Sequence, residues 1–547
     1  MDASVRFDTQ IIGALPLISD YFERLGLGAI INEVVPWEGG VPLGTLVEIM
    51  CANRLLNPQA LYRIGEWAQE AGLTDYYGVT AEQLNDDLLG RALERVAKHA
   101  DAIETAVVTK MIQVFKVQVK QIHFDITDVE LYGAYEQQVP EGQAPPTPQP
   151  AYGRTKSGRK NVKQIGLGLN VTADGGVPIG HLPLDGNAGE SPVHLDNLRA
   201  LAKRLGKSDF VYIADTKLDT IDNLLAVAAG DGFFLCGGAF QPHLQEEYLK
   251  LKRRGKLHRV DYCPKSQAHL PADERDRYEA AETTAFSEGV VDGRKLRVKY
   301  RLIFVWSEAK ARQEAETRER HVSKIREEFE AVERNLNKYS LTTEKKVLGR
   351  LESAKAKYSE GSLFEYELTK DRKGLLHLSW KLDAGRLQRR KQLEGVYVLK
   401  TNLPQRRCPT AKALSTYKEQ SQVERRFHHF KGPLAVAPMF LEKPERMAGL
   451  LCILVLALMV MALMERQTRR SLKGKPMYGL YPENRPSQAP TGPAILKCFS
   501  TLSIVIVKEH GRVSRRLADP NPTQRKLLNL LGIPPGRLRT FKRRCGT

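Results

Sequence analysis

The feature that most constrains the fold is an uncharged run of eighteen residues in the last fifth of the chain. Residues 447–464 read MAGLLCILVLALMVMALM, and a charged pair flanks the run on each side. A helix of this length that is apolar all round either spans a membrane or lies at the centre of a large domain. Because the sequence has no second such run, we expect a buried core helix. The alternative is a single-span membrane protein with a basic cytosolic tail.

Charge is distributed unevenly along the 547 residues. The chain carries 83 Lys and Arg against 64 Asp and Glu, a net charge of +19. Residues 1–119 hold 9 basic and 16 acidic side chains, whereas residues 466–547 hold 18 basic and 3 acidic ones. A cationic tail favours a polyanionic partner, most simply nucleic acid. The alternative is a highly soluble protein with a charged surface.

The cysteines and the first residues predict the compartment. Seven cysteines are scattered between Cys51 and Cys545 without a Cys-x-x-Cys pair, which favours a reduced, cytosolic chain. The N-terminus has no basic flank followed by an apolar stretch, so we expect no signal peptide. The sequence therefore predicts a cytoplasmic protein.

The spacing of apolar residues changes several times, which predicts several domains. Between residues 121 and 236 the order is strand, strand, strand, helix, strand, helix, strand. Three antiparallel strands followed by helix-linked parallel strands are typical of a ribonuclease H-like α/β fold with a mixed five-stranded sheet. The predicted segments are an all-helical N-terminal domain (1–119), a first core part (120–236), a β-rich insertion (237–405) with a helical hairpin at about 307–358, a second core part (406–465) and a basic C-terminal region (466–547).

Acidic residues end two strands of this predicted sheet. Asp125 follows the first strand and Asp215 the fourth, and these strands can lie side by side, so both carboxylates would project from one edge. A helix near residue 420 adds a third carboxylate. Tyr417, Glu424 and Lys431 are spaced by seven residues and share one face of that helix. The alternative for this helix is a surface of mixed charge.

At these positions the chain resembles the DDE transposases of bacterial insertion sequences, in the superfamily with the YREK signature (Tyr, two residues, Arg, three residues, Glu, six residues, Lys). Tyr417, Glu424 and Lys431 fall on this spacing, whereas Gln420 stands at the arginine position and removes a cation expected near DNA phosphate. The resemblance covers nearly the whole chain, with further blocks in the family's order at 85–96, 123–127, 153–164, 186–187, 213–215 and 399–402.

The resemblance implies metal-dependent chemistry on DNA. Asp125, Asp215 and Glu424 would hold two Mg²⁺ ions, with Mn²⁺ as a substitute, because hard divalent cations prefer oxygen ligands. Such ions activate a water or a DNA 3′-hydroxyl and stabilise the leaving oxygen, so that no side chain has to act as the nucleophile. Tyr417 and Lys431 would position a phosphate near the cut.

Contacts to DNA are expected from polar and basic side chains around this set. Backbone contacts of this kind position DNA without reading its sequence, and a solvated basic surface is the alternative. The candidates are Gln420 and Arg425, the basic segment Arg154, Lys156, Arg159, Lys160 and Lys163, and the tail at 512–516 and 537–544.

The resemblance predicts a DNA transposase that binds the ends of its element, cuts them and joins them to target DNA. Two ends must be brought together, so we expect a homodimer, acting at the nucleoid in a bacterial cytoplasm and without a membrane. The alternatives are a ribonuclease H-like nuclease and a catalytically inactive, domesticated DNA-binding relative. The presence of all three carboxylates favours activity.

Overall fold

The chain forms two compact units in this computed structural model. The core unit consists of Met1–Phe234 and Lys418–Thr547, and the insertion unit is Leu235–Tyr417. The structure describes residues 6–132, 135, 148–153, 158–159, 161–291, 293–436, 439, 441–509, 512–534 and 536–538.

The core unit combines helices with two sheets. Its N-terminal part contains β1 (Arg6–Ile11), α1 (Leu15–Leu25), α2 (Leu27–Val34), α3 (Leu43–Leu56), α4 (Ile64–Glu70), α5 (Leu73–Tyr77), α6 (Asp86–Lys98), α7 (Ala100–Phe115), β2 (Gln121–Leu131), β3 (Ala151–Tyr152), β4 (Lys163–Thr172), β5 (Pro178–Leu184), α8 (Glu190–Leu205), β6 (Val211–Ala214), α9 (Ile221–Ala229) and the start of β7 (Phe233–Gly238).

The chain then passes through the insertion unit and returns to the core unit. The insertion unit contains α10 (Pro242–Arg253), β8 (His258–Arg259), β9 (Tyr278–Val291), β10 (Arg294–Ser307), α11 (Glu308–Arg334), α12 (Glu344–Ala356), β11 (Phe364–Lys370), β12 (Leu376–Leu382), α13 (Ala384–Leu393), β13 (Val396–Thr401) and α14 (Thr410–Lys418). The rest of the core unit contains α15 (Ser421–Lys431), α16 (Pro444–Leu472), α17 (Gly492–Cys498), β14 (Ser503–Glu509), β15 (Arg512–Leu517) and α18 (Pro522–Leu531).

β2 is the strand on which the main sheet of the core unit is built. β4 pairs antiparallel with β2, and β5 pairs antiparallel with β4. On the other side of β2, β6 pairs with it in parallel, so the fourth predicted strand does lie beside the first. β7 begins next to β6, where Phe233 N donates to Phe210 O at 3.0 Å. The predicted mixed α/β architecture is confirmed.

The N-terminal region differs from the predicted all-helical domain by one strand. Helices α1 to α7 follow the helical spacing of the sequence, but β1 pairs antiparallel with β14, with Arg6 opposite Lys508. β14 pairs in turn with β15. A single short strand cannot be distinguished from a loop by its own pattern when its partner lies at the other end of the chain. Part of the basic C-terminal region is therefore ordered in a sheet with the N-terminus.

The uncharged run forms the middle of α16, a 29-residue helix that packs against α3, α6, β5 and α18. By length and composition alone, α16 is the one helix among the described residues that could cross a membrane. Of its most apolar 18-residue window, 94% is buried inside the protein. This burial agrees with the prediction of a core helix, because neighbouring elements cover the helix on all sides.

The insertion unit contains the predicted helical hairpin, formed by α11 and α12. Ile325 and Phe329 on α11 are buried together with Val347 and Leu351 on α12. The alternating spacings of three and four residues place these side chains on one stripe of each helix, which is why the helices pair. The β11–β12 hairpin joins the same core through Phe364. Strands β7, β13, β10, β9 and β8 pair antiparallel in that order.

Candidate active site

Asp125 and Asp215 each lie two residues beyond the last paired residues of the parallel strands β2 and β6. The β2–β6 pairing puts His123 opposite Ile213. Extending this register by two residues puts Asp125 opposite Asp215, one residue beyond the end of β6. The two residues therefore lie at the same end of the β2–β6 pair.

The two aspartates differ in local structure. β2 continues to Leu131, so Asp125 lies within a strand rather than at its end, as the sequence had suggested. Asp125 Oδ1 accepts a hydrogen bond from the amide of Ile126 at 2.8 Å. Asp215 instead caps the short 3-10 turn that follows β6, where its Oδ1 accepts from Lys217 N at 2.9 Å. Both side chains are half-buried, so solvent and ligands reach them.

The helix that carries Glu424 is attached to β2 through Gln420, the residue before α15. Gln420 Nε2 donates to the carbonyl of Phe124 at 2.7 Å, and Gln420 Oε1 lies 3.1 Å from His123 Nδ1. Glu424 lies four residues later, in the first turn of α15, and its side chain is exposed. One helical turn rises about 5.4 Å. Glu424 therefore lies one turn along the helix from Gln420, which is hydrogen-bonded to Phe124, the residue before Asp125.

The position of Gln420 follows from the way β2 and β6 separate. Alternate carbonyls of a strand point to the same side, and Lys120 O points toward β6, where it accepts from Val211 N at 2.9 Å. Phe124 O therefore also points to the β6 side. β6 has ended at this level, and Gln420 supplies the donor that a longer β6 would have supplied. Gln420 thus lies where the two aspartate-bearing strands part.

A buried arginine fixes α15 from the opposite side. Arg426 donates to Gly176 O and to Gly175 O, both at 2.7 Å, in the turn between β4 and β5. It also donates to Glu465 Oε2 on α16 at 3.1 Å. Arg425, predicted to contact DNA, lies 3.3 Å from the same carboxylate, so its side chain is directed at least in part to the protein interior.

Burial and charge set the ionisation of this region. Burial pushes the pKa of Glu465 up, but Arg426, Arg469 and Arg425 outweigh it, and the net pKa lies below the ordinary value, so Glu465 stays an anion. Burial lowers the pKa of His429 to about 4, and the nearby Arg426 acts in the same direction. Burial also lowers the pKa of His123 to about 4, so the ring that faces Gln420 is neutral near pH 7.

The donor chemistry of the three carboxylates fits divalent cations, whereas their side-chain arrangement is not that of a formed metal site. Asp125, Asp215 and Glu424 offer only oxygen, the ligand atom that Mg²⁺ prefers. Among the described residues, however, no three His, Cys, Asp or Glu side chains are grouped closely enough to hold a metal ion. Like charges repel at close range, so carboxylates without a cation between them are expected to stay apart.

The two other signature residues lie in different units. Tyr417 is the last residue of the insertion unit and belongs to α14. There burial is the main cause that raises the pKa of Tyr397, and the charge of Tyr417 is one of several smaller contributions in the same direction. Lys431 ends α15 in the core unit, and its Nζ lies 3.7 Å from Asp128 Oδ1 on β2. The side chain of Lys431 remains 40% exposed, which leaves it accessible to a phosphate.

The predicted basic segment is described only in part. Arg154, Lys156 and Lys160 lie outside the described residues, as does most of the tail at 537–544. Arg159 Nη1 lies 3.2 Å from Glu130 Oε2 near the end of β2. Lys163 begins β4 and donates to a backbone carbonyl at 3.1 Å. The described part of the segment is thus adjacent to the strand of Asp125.

The groups that hold α15 in place could not be recognised from the sequence. His123 and Arg426 flank two of the predicted catalytic positions, and Glu465 directly follows the uncharged run. A charge next to a fully buried helix segment is a signal that it needs a buried partner, because an unpaired charge is costly inside a protein. The partner, Arg426, could not be chosen from the several nearby arginines by sequence alone.

Comparisons with known proteins add little to this geometry. Residues 7–109 match a family model described as "Domain of unknown function (DUF4277)". No curated protein matches the chain at a significant level. A chain of the cryo-EM structure of the piggyBac transposase synaptic complex with hairpin DNA is similar to this one with a TM-score of 0.35 and 8% identity, over 98% of this chain and 84% of that chain. A likeness this weak does not identify a function for this chain.

Proposed function

We propose that this protein is a DDE-type DNA transposase of a bacterial insertion sequence, with a ribonuclease H-like catalytic core. The strand order β5, β4, β2, β6, with β7 beginning beside β6, supports that core. One observation carries the proposal. Asp125 and Asp215 lie just beyond the same end of the parallel β2–β6 pairing, and Gln420, which directly precedes the helix of Glu424, is bonded to the strand of Asp125.

In this proposal the three carboxylates are the ligands of two Mg²⁺ ions, or of Mn²⁺ in their place. Bound by these residues, such ions would supply activation of a water or 3′-hydroxyl and stabilisation of the leaving oxygen at a DNA phosphate. The chain itself holds the carboxylates on three rigid elements, β2, the end of β6 and α15. Lys431, 3.7 Å from Asp128 and partly exposed, adds a positive charge for a phosphate at the end of the same helix.

DNA is the partner that the charge of the chain favours. A net charge of +19 draws a polyanion, and contacts to phosphates supply affinity that falls as salt is raised. Arg159 and Lys163, next to the strand of Asp125, are the described residues of the basic segment that would follow the DNA backbone. Because an element has two ends that must be cut together, we propose a homodimer with two DNA ends, acting in the cytoplasm at the nucleoid.

The proposal is tested with three isosteric substitutions and a matched control. Asp125→Asn, Asp215→Asn and Glu424→Gln each remove one negative charge with little change in shape. Each should abolish Mg²⁺-dependent cleavage of duplex DNA that contains the inverted repeats flanking the coding region, while DNA binding in a mobility-shift assay is retained. Asp222→Asn, at an exposed carboxylate in the first turn of α9, should cleave like the wild type.

The outcomes separate the alternatives. Undiminished cleavage by any of the three variants would remove that residue from the site and with it the proposal. Cleavage of any duplex without preference for the repeats, and without joining to a second DNA, would indicate a ribonuclease H-like nuclease instead. Binding of the repeats without cleavage by the wild type in Mg²⁺ or Mn²⁺ would indicate an inactive DNA-binding relative.

A further inference from the structure

We infer that Gln420 and His123 are positioning residues, which hold the first turn of α15, and with it Glu424, against the strand of Asp125. The inference rests on the proposed function, because positioning matters only if Glu424 and Asp125 act together. It gives Gln420 a role inside the protein in place of the DNA contact that the sequence suggested for it.

The backbone bonds of the first turn of α15 differ in length: Gln422 N donates to Glu419 O at 2.8 Å and Val423 N to Gln420 O at 3.1 Å. No side chain caps the start of the helix. The hydrogen bond that should fix Glu424 in the helix, from Glu424 N to Gln420 O, is 3.5 Å long, at the outer limit for such a bond. Terminal helix turns of this kind open easily unless tertiary contacts secure them. The position of Glu424 therefore depends on contacts made by neighbouring side chains.

Gln420 makes those contacts with both ends of its amide. The amide nitrogen donates to Phe124 O at 2.7 Å, and the amide oxygen lies 3.1 Å from His123 Nδ1. Since the nitrogen is already the donor, the oxygen must accept, and His123 must carry its proton on Nδ1. An imidazole that carries its proton on Nδ1 satisfies the pair. The carbonyl belongs to Phe124 and the imidazole to His123, the two residues that directly precede Asp125 on β2.

Gln420 attaches α15 to β2 close to the point where the chain returns to the core unit. The chain re-enters the core unit at Lys418 after the whole insertion unit, and Gln420 is the third residue of the returning segment. Its side chain is hydrogen-bonded to β2. Within the first turn Gln422 Nε2 also donates to Ala173 O, at 3.3 Å, and Arg426 holds the middle of α15.

The alternative is that Gln420 only adds stability or touches DNA. A methionine of similar length distinguishes these roles, because Gln420→Met keeps the packing and removes both hydrogen bonds. Gln388→Met, the same change at an exposed glutamine of α13 in the insertion unit, is the control. His123→Phe keeps a ring and removes the nitrogen that faces Gln420. A variant that combines Gln420→Met with His123→Phe completes a double-mutant cycle.

Two readouts test the inference, one of them independent of metal and DNA. In metal-free protein, hydrogen exchange of the amides at 422–426 should be about tenfold faster in Gln420→Met than in the wild type, the factor expected when one or two hydrogen bonds are lost. Gln388→Met should not change this exchange. In Mg²⁺, Gln420→Met should cleave DNA about 100-fold more slowly at saturation, the loss that a displacement of about 1 Å can cause. Its half-saturating Mg²⁺ concentration should rise, with DNA affinity unchanged.

The cycle and the remaining outcomes decide the matter. The double variant should be no slower than the slower single variant, because both changes break one linkage. Independent, additive losses would overturn the linkage, as would wild-type exchange in Gln420→Met. Weaker DNA binding with unchanged cleavage of bound DNA would return Gln420 to the DNA interface. If Gln420→Met fails to fold, Gln420→Asn, whose shorter amide cannot reach both partners, takes its place. Full cleavage by Asp125→Asn would defeat the proposed function, whereas the exchange result would still decide whether Gln420 holds the helix.

Discussion

Glu465 is the side chain whose replacement should most clearly reveal how α15 is held. Its carboxylate is fully buried and meets three guanidinium groups, from Arg425, Arg426 and Arg469, together with the amide of Gly492. Glu465→Gln keeps the shape and removes the only negative charge among the groups named. Three cations are then left around a neutral amide, with Arg426 itself buried.

The cost can be estimated from this arrangement. Removing one partner of a buried ion pair destabilises a protein by about 3–5 kcal/mol, mostly because the remaining charge stays buried. With a urea dependence of about 2 kcal/mol per molar, this corresponds to a midpoint lower by about 2 M. Glu442→Gln, at an exposed carboxylate before α16, should change stability by less than about 0.5 kcal/mol.

The assay has to report on the core unit alone, because two units need not unfold together. Of the four tryptophans, Trp306 and Trp380 lie in the insertion unit. Replacing both by phenylalanine leaves Trp37 and Trp67 as core-unit fluorophores for urea unfolding. A loss below about 1 kcal/mol in Glu465→Gln would mean that the charge of Glu465 does not offset those of the arginines.

The same carboxylate predicts a pH dependence. The folded-state pKa of Glu465 lies below its ordinary value of 4.5, because the arginines outweigh the effect of burial. A carboxyl whose pKa is lowered on folding stabilises the protein above its unfolded-state pKa and loses this contribution as the pH falls through the folded-state value. The stability difference between the wild type and Glu465→Gln should therefore be complete above pH 4.5 and shrink on further acidification.

Other expectations can be checked separately. Phe329→Ala, in the core of the α11–α12 hairpin, should destabilise the insertion unit by about 3–5 kcal/mol in urea unfolding followed by Trp380 fluorescence, and a change below 1 kcal/mol would contradict that core. Lys431→Ala should cost less than about 1 kcal/mol of stability, because its pair with Asp128 is partly exposed. If Lys431 contacts a phosphate, the same variant should make the slope of the logarithm of the DNA-binding constant against the logarithm of the salt concentration less steep by about one. An unchanged slope would exclude the contact. The full chain should stay in the supernatant after ultracentrifugation without detergent, since α16 is buried, and recovery only with detergent would contradict a core helix.

The elements that the sequence predicted well are those specified by local pattern. Alternating residues and the turn at Asp174 to Gly176 define β4 and β5, and the three-four spacing of Ile325, Phe329 and Val332 defines one helix of the hairpin. In such cases neighbouring residues supply both the pattern and the partner. The parallel placement of β6 beside β2 followed from topology, because the helix α8 connects β5 to β6.

The parts that could not be predicted depend on contacts between distant segments. The partner of β1 is β14, at the other end of the chain, and nothing in the sequence of either strand indicates this pairing. The role of Gln420 depends on β6 ending one residue before Asp215, which leaves Phe124 O to a side chain. The residue at which a strand ends depends on which distant groups compete for its backbone hydrogen bonds. The periodicity of the sequence does not show these distant groups.

The most direct test of the account is the position of bound metal in the folded protein. Crystals of the complex with inverted-repeat DNA, soaked in Mn²⁺, would give anomalous scattering peaks at the ions themselves. The account predicts two peaks bound by carboxylate oxygens of Asp125, Asp215 and Glu424, and their loss in Asp125→Asn. Ions bound elsewhere, with any of these three carboxylates directed away from them, would contradict it.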